Sequence, residues 1–204
     1  MLAAQFAAFK LLYHPKLFWS IQSLYRSLGD KGLAIGSSTT GELVSELPGD
    51  YMQAMGRNQE RLLDRILDNV DKDNNTRRRH TEVIEEHLQK AGFPIVNLQA
   101  GFDPVYLRYP VRVNNKDQVL DLARKNRVQL GDWFISPVHP NLADWEMAGY
   151  TPGQCPVAEE ISRKTVNIAT DFRTSESEIA RTVTFLKRHA EPAPGVEIME
   201  SGEF

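Results

Sequence analysis

The chain carries one cysteine, Cys155, in 204 residues. A lone thiol cannot close an internal disulfide, so packing and hydrogen bonds must hold the fold, and a reducing compartment, the cytoplasm by default, is expected. Long apolar runs are lacking as well. The stretch from Met1 to Phe9 is cut by Lys10 and falls far short of the roughly 20 residues that a membrane helix needs. No basic segment precedes it and no small-residue cleavage site follows it, so neither a membrane span nor a secretory signal is expected. Charge of one sign is also scarce: 24 Lys+Arg against 27 Asp+Glu leave a formal net charge of -3. Such a chain lacks the basic field that nucleic-acid binding requires, and no nucleic-acid partner is expected. The Gly-rich loops that cradle phosphates between a strand and a helix are missing too.

What is present divides into three stretches and a tail. Residues 1–50 are rich in apolar and aromatic side chains, among them Phe6, Phe9, Leu12, Phe18, Trp19 and Tyr25. Helical spacing runs from Leu17 to Leu28, and a short helix is predicted from Thr40 to Leu47, before Pro48-Gly49. Residues 51–94 read as one long helix or two collinear ones. Met55, Leu62, Leu63, Ile66, Leu67 and Val70 mark its apolar face, Asp71 to Asn75 its weakest part, and Val83, Ile84, His87 and Leu88 a second periodic segment closed by Gly92 and Pro94. Residues 95–190 alternate strands and helices: a strand over Val105 to Val113, with Pro110 arguing for an edge or a bulge; a helix over Asn115 to Arg124; a short strand around Val128 to Phe134; a helix over Cys155 to Lys164; a strand over Thr165 to Ile168; and a final helix to about His189, whose start is signalled by Thr174-Ser175-Glu176-Ser177-Glu178. The pattern predicts an α/β (α+β) chain, a long helix leading into a small α/β domain. Residues 191–204, with two prolines and two glycines, read as a flexible tail.

Little of this carries obvious chemistry. Arg77-Arg78-Arg79-His80 is a basic cluster, but Asp71, Asp73, Glu82, Glu85 and Glu86 surround it and predict a solvated, salt-bridged helix face. His80 and His87 have no third ligand at metal spacing, and no metal site is expected. Cys155 opens a predicted helix, where the dipole favours a thiolate, yet a small buried residue is the plainer expectation. The segment Gly131-Asp132-Trp133-Phe134-Ile135-Ser136-Pro137-Val138-His139-Pro140 is the most informative. Aromatics followed by Ser, Pro and His on an irregular connection suit a pocket wall, which makes Trp133, Ser136 and His139 substrate-pocket candidates. The same residues suit a buried turn whose Trp and His only pack. Asp132, Ser136 and His139 form a triad on paper, but no Gly-x-Ser-x-Gly elbow activates Ser136, and no catalytic residue is assigned.

The run from Val128 to Pro140, with Gly149-Tyr150, Cys155-Pro156-Val157-Ala158-Glu159, Val166-Asn167-Ile168 and Ser175-Glu176, resembles the C-terminal domain of the DegT/DnrJ/EryC1/StrS aminotransferases. Tyr51, Met55 and Gln59, with Arg78 and Arg79 further on, resemble that family's long helix, so the resemblance spans about residues 51–189. It implies a fold-type-I small domain, pyridoxal phosphate as the parent cofactor, a homodimer, and amino transfer, with glutamate the expected donor, to a keto-sugar, commonly nucleotide-linked. It also implies that the Schiff-base lysine and the aspartate facing the pyridine nitrogen belong to a large domain ahead of residue 1. The nine lysines here fall on predicted helices, loops or tails, and Met52 stands where the family places an asparagine that reaches the cofactor phosphate. The expected chain is therefore the C-terminal part of such an enzyme, with residues 1–50 a remnant of the large domain and residues 51–94 a helical bridge. It is expected to bind no cofactor and to be inactive alone. The alternative is a non-catalytic binding or oligomerisation module that has lost the cofactor site.

Overall fold

A computed structural model of the chain describes residues 52, 54–97, 101–133, 135–138 and 145–195. Packing divides the chain into Met1–Met52 and Gln53–Phe204, and the elements below belong to the second unit. The helix expected over Thr40 to Leu47 and the apolar segment before Asp50 lie outside the described residues.

Two helices open the unit. α1 (Arg57–Leu67) begins after Gly56, whose N–H donates to the Gln59 side chain at 2.8 Å. α2 (Val70–Ala91) follows a short break at Asp68 and Asn69. The expected weak point, Asp71 to Asn75, is intact helix, because Asp71 and Asp73 fall in the first turn of α2, where carboxylates complement the positive end of the helix. Gly92 then ends α2 at φ 83°, a left-handed conformation that a side chain would strain. The two helices differ in what covers their apolar faces. Ile84 and Leu88 of α2 are fully buried, whereas Leu62, Leu63, Ile66 and Leu67 of α1 are 40–54% exposed.

The sheet has two antiparallel strands, β1 (Arg108–Arg112) and β2 (Thr165–Ala169), with Tyr109 opposite Ile168 and Val111 opposite Val166. Alternation along the strands sends these four residues to one face. There they meet Ile84 and Leu88 of α2, Val119, Leu120 and Ala123 of α3 (Lys116–Lys125), and Ile179, Val183, Phe185 and Leu186 of α5 (Glu176–His189). Pro110 is tolerated because β1 is an edge strand, paired in the sheet with β2 alone. A 3₁₀ turn (Trp145–Ala148) and α4 (Pro156–Lys164) lie between α3 and β2. The short strand expected around Val128 to Phe134 is reduced to a single bridge, Gly131 to Asn167, on the free side of β2.

α5 starts as its sequence requires. The Ser175 hydroxyl accepts the Glu178 N–H, and the Glu178 carboxylate accepts the Ser175 N–H at 2.8 Å. Replacing Ser175 with alanine is expected to cost about 1 kcal/mol in urea unfolding, with threonine restoring most of it. Beyond α5, residues 191–195 depart from the loose tail expected there. Pro192 bridges Val113, Ala193 N–H bonds the Arg112 carbonyl at 3.1 Å, and Ala193 is 1% exposed.

Candidate functional site

The sheet's second face carries Arg108, Pro110 and Arg112 from β1 and Thr165, Asn167 and Ala169 from β2. The segment from Gly131 lies against it. Gly131 and Asn167 exchange two backbone hydrogen bonds, at 2.8 and 2.9 Å, and a Cβ on Gly131 would meet the Arg108 guanidinium at 3.0 Å. That close approach lets the guanidinium lie over the Trp133 ring, 4.8 Å from its centroid. Beneath them Asn167 is 3% exposed, and its Oδ1 has no hydrogen-bond partner. Arg112 holds the other end of this face through the Pro194 carbonyl at 2.8 Å and Glu160 of α4 at 3.5 Å.

The three substrate-pocket candidates fare differently. Trp133 is half-exposed against Arg108. Ser136 is buried, and its hydroxyl donates to the Val138 carbonyl within a local turn. His139 lies outside the described residues, as does Phe134. Asp132, the third member of the paper triad, lines a cavity with Lys116 and Ile135. Sequence reasoning missed Arg108 as the companion of Trp133, since 25 positions separate them and only the Gly131 to Asn167 bridge brings them together.

A second constellation explains why Tyr150 and Glu159 sit in the matching motifs. Tyr150 donates its hydroxyl proton to Glu159 Oε1 at 2.8 Å and accepts the Cys155 N–H at 3.1 Å, while Glu159 also accepts the Gly153 N–H at 2.6 Å. These bonds clamp the turn before α4 onto its first turn. The Gly153 N–H, and then the Tyr150 hydroxyl, hold the Glu159 carboxyl below the ordinary carboxylate range. A depressed carboxyl stabilises the fold above its unfolded pKa, near 4.5, and loses that contribution as pH falls through its folded value. Wild type is thus expected to exceed Glu159→Gln in melting temperature at pH 6, with the gap narrowing in scans below pH 4. Cys155, expected to be small and buried, is exposed: its backbone N–H takes part in this clamp while its side chain stays on the surface at the N-cap of α4.

The basic cluster of α2 also differs from a solvated face. Arg77 donates to the Leu107 carbonyl and the Thr170 hydroxyl, both at 3.1 Å, and buried His80 Nδ1 lies 3.0 Å from the Thr170 carbonyl. Arg78 and Arg79 face outward and pair with Asp103 and Glu176 rather than with acids of their own helix. Among the described residues no group of histidine, cysteine and carboxylate side chains could hold a metal.

This fold and these motifs can be set beside known proteins. The family described as the DegT/DnrJ/EryC1/StrS aminotransferases matches residues 36–187. The chain belongs to that family. Among solved structures, a DegT DnrJ EryC1 StrS aminotransferase from Brucella abortus is similar at 18% identity and a TM-score of 0.54, over 64% of this chain and 34% of that one. DesV from S. venezuelae, solved in complex with a ketimine intermediate, is similar at 21% identity and a TM-score of 0.54, over 71% of this chain and 40% of that one. No curated protein matches the chain. The matched region therefore spans between a third and two fifths of these neighbours' length, and the mixed helix and two-stranded sheet reproduce part of the aminotransferase fold.

Aminotransferases of this family use pyridoxal phosphate. Lys72 and Lys90 lie in α2, Lys116 and Lys125 in α3, Lys164 in α4 and Lys187 in α5, and neither described strand ends in a lysine.

Proposed function

We propose that this chain supplies the small-domain part of a pyridoxal-phosphate-dependent sugar aminotransferase of the cytoplasm. Residues 51–94 act as its bridge, residues 95–190 as its small domain and residues 1–50 as a remnant of the large domain. The reaction of the whole enzyme is amino transfer, with glutamate as donor, to a keto-sugar that is commonly nucleotide-linked. Trp133, with His139 and Ser136 nearby in sequence, shapes the substrate end of the pocket and takes no chemical step. The carrying observation is the family match over residues 36–187 together with a fold that covers 34–40% of its solved neighbours. The half-exposed apolar face of α1 supports the same reading, since a further domain would bury it.

The 204-residue chain, incubated with pyridoxal phosphate and glutamate, is expected to release no 2-oxoglutarate above a protein-free control. Protein-dependent release would overturn its assignment as an inactive part. Reading the DNA upstream of the Met1 codon in all frames is expected to reveal a large-domain segment with a strand-borne lysine. If that segment is missing, the binding or oligomerisation module becomes the better reading. The exposed α1 face favours this second reading too, and a defined homodimer in light scattering would support it.

A further inference from the structure

Independent of family membership, a groove of about 260 Å³ runs between α5 and the turn that follows α3, and no carboxylate lines it. Buried Val128 and Phe185 form its floor, with the His189 ring 4.7 Å from that of Phe185. Cations stand around this floor. Arg181 is fixed on the wall by a hydrogen bond from its Nη2 to the Asn126 carbonyl at 2.9 Å, and Arg188 lines the same wall one to two turns on. Arg127, between the lining residues Asn126 and Val128, holds φ 52°, a conformation that strains any residue with a Cβ. Elsewhere in the unit exposed arginines pair with acids, as Arg78 does with Asp103 and Arg79 with Glu176. Among the described residues no carboxylate pairs with Arg127, Arg181 or Arg188.

We infer that the occupant of this groove is the chain's own acidic segment, residues 196–204, beyond the described part. That segment carries Glu197, Glu200 and Glu203, no basic residue, and Val196, Ile198, Met199 and Phe204 among the acids. Three carboxylates answer three guanidinium groups, and apolar side chains answer the floor of Val128 and Phe185. The groove is smaller than the roughly 300–1,000 Å³ of ordinary small-molecule sites, and suits one or two side chains of a peptide. Connectivity permits the contact. Gly195 follows the lining residue His189 by six positions, so it lies within roughly 22 Å of it, while residues 196–204 can extend roughly 30 Å. The docked segment continues the strap of residues 191–195 and closes the groove to other acidic chains.

The test treats an equal mixture of ¹⁵N-labelled and unlabelled intact chain with a carbodiimide, which joins carboxylates to amines in contact, and maps the products by peptide mass. Glu197, Glu200 or Glu203 is expected to join Lys125 or Lys187, both exposed and next in sequence to the lining residues Asn126 and Arg188, within a single isotope. Lys90 is the control. It is exposed and four positions before Pro94, from which a Cβ on Gly195 would lie 3.7 Å, so a segment without a fixed site meets it first. The double variant Arg127→Gln/Arg188→Gln is expected to lower the Lys125 and Lys187 products about fivefold, the equivalent of two exposed ion pairs, and to spare any Lys90 product. Neither guanidinium bonds to the described residues, so this variant keeps the fold, which circular dichroism checks. Products mainly at Lys90, or equal yields in the double variant, would overturn the proposal. Products of mixed isotope would overturn it too, by assigning the groove to a second copy of the chain.

Discussion

Replacing Ile84 with alanine is expected to remove a large share of the stability of the small domain. Ile84 is fully buried where α2 crosses the core beside Ile179, Val183 and Leu186 of α5. Deleting three carbons there leaves a cavity that rigid neighbours on three elements cannot fill, and such substitutions cost about 2–5 kcal/mol. Ordinary domains hold only about 5–15 kcal/mol in total. The expected result in urea is a large fall in midpoint with an unchanged slope, whereas Leu62→Ala on the exposed face of α1 is expected to shift the midpoint little. Equal effects at the two positions would mean that the α1 face is covered in solution.

The second large effect is expected from Tyr109→Phe, which keeps the ring and removes only its hydroxyl. Tyr109 is fully buried, with its ring edge-on to Tyr106 at 5.3 Å. Its hydroxyl accepts the Val96 N–H and donates to Glu85 Oε1, both at 3.0 Å, and so ties the chain leaving α2 back to α2 itself. Phenylalanine leaves a part-buried N–H without a partner, at a cost of about 1–3 kcal/mol. The pH dependence gives an independent reading. Burial, reinforced by Glu85 and opposed by the Val96 N–H, pushes the phenol far above its ordinary range. A raised folded pKa gives stability that is complete below the unfolded value, near 10, and lost as pH rises beyond it. The advantage of wild type over Tyr109→Phe, measured by urea titration, is expected to be constant from pH 7 to 9 and to shrink above pH 10.

Features set by near neighbours in the chain were legible in the sequence. The start of α5 is written in Ser175 and Glu178, three residues apart, and the end of α2 in Gly92, because caps are local chemistry. The helix break at Asp68 and Asn69 carries no glycine or proline, so composition points instead to Asp71 to Asn75 as the weakest part. Features set by distant partners were not legible. Arg77 and His80 turn inward because Leu107 and Thr170, 30 and 90 positions away, offer acceptors there. Their spacing from Ile84 and Leu88 puts both on the buried side of α2, but the acceptors that hold them there leave no mark on that spacing. Lys116 reads as one more surface charge until Ser162, 46 positions on, is seen to accept its proton. At the candidate site the segment that carries Trp133 was recognisable, but its companion Arg108 was not, since a cation packed on an aromatic ring has no spacing rule.

The strap formed by residues 191–195 bears on how this chain behaves in company. A two-stranded sheet offers two open rims, each a template onto which another chain can add a strand. Here Gly131 occupies the rim of β2, while Pro192 and Ala193 close the end of β1 beyond Val111. Pro110, with no N–H to offer, interrupts what remains of the rim of β1. With both rims occupied or interrupted in this way, the sheet offers little for another chain to extend, and growth by strand addition is blocked at its edges.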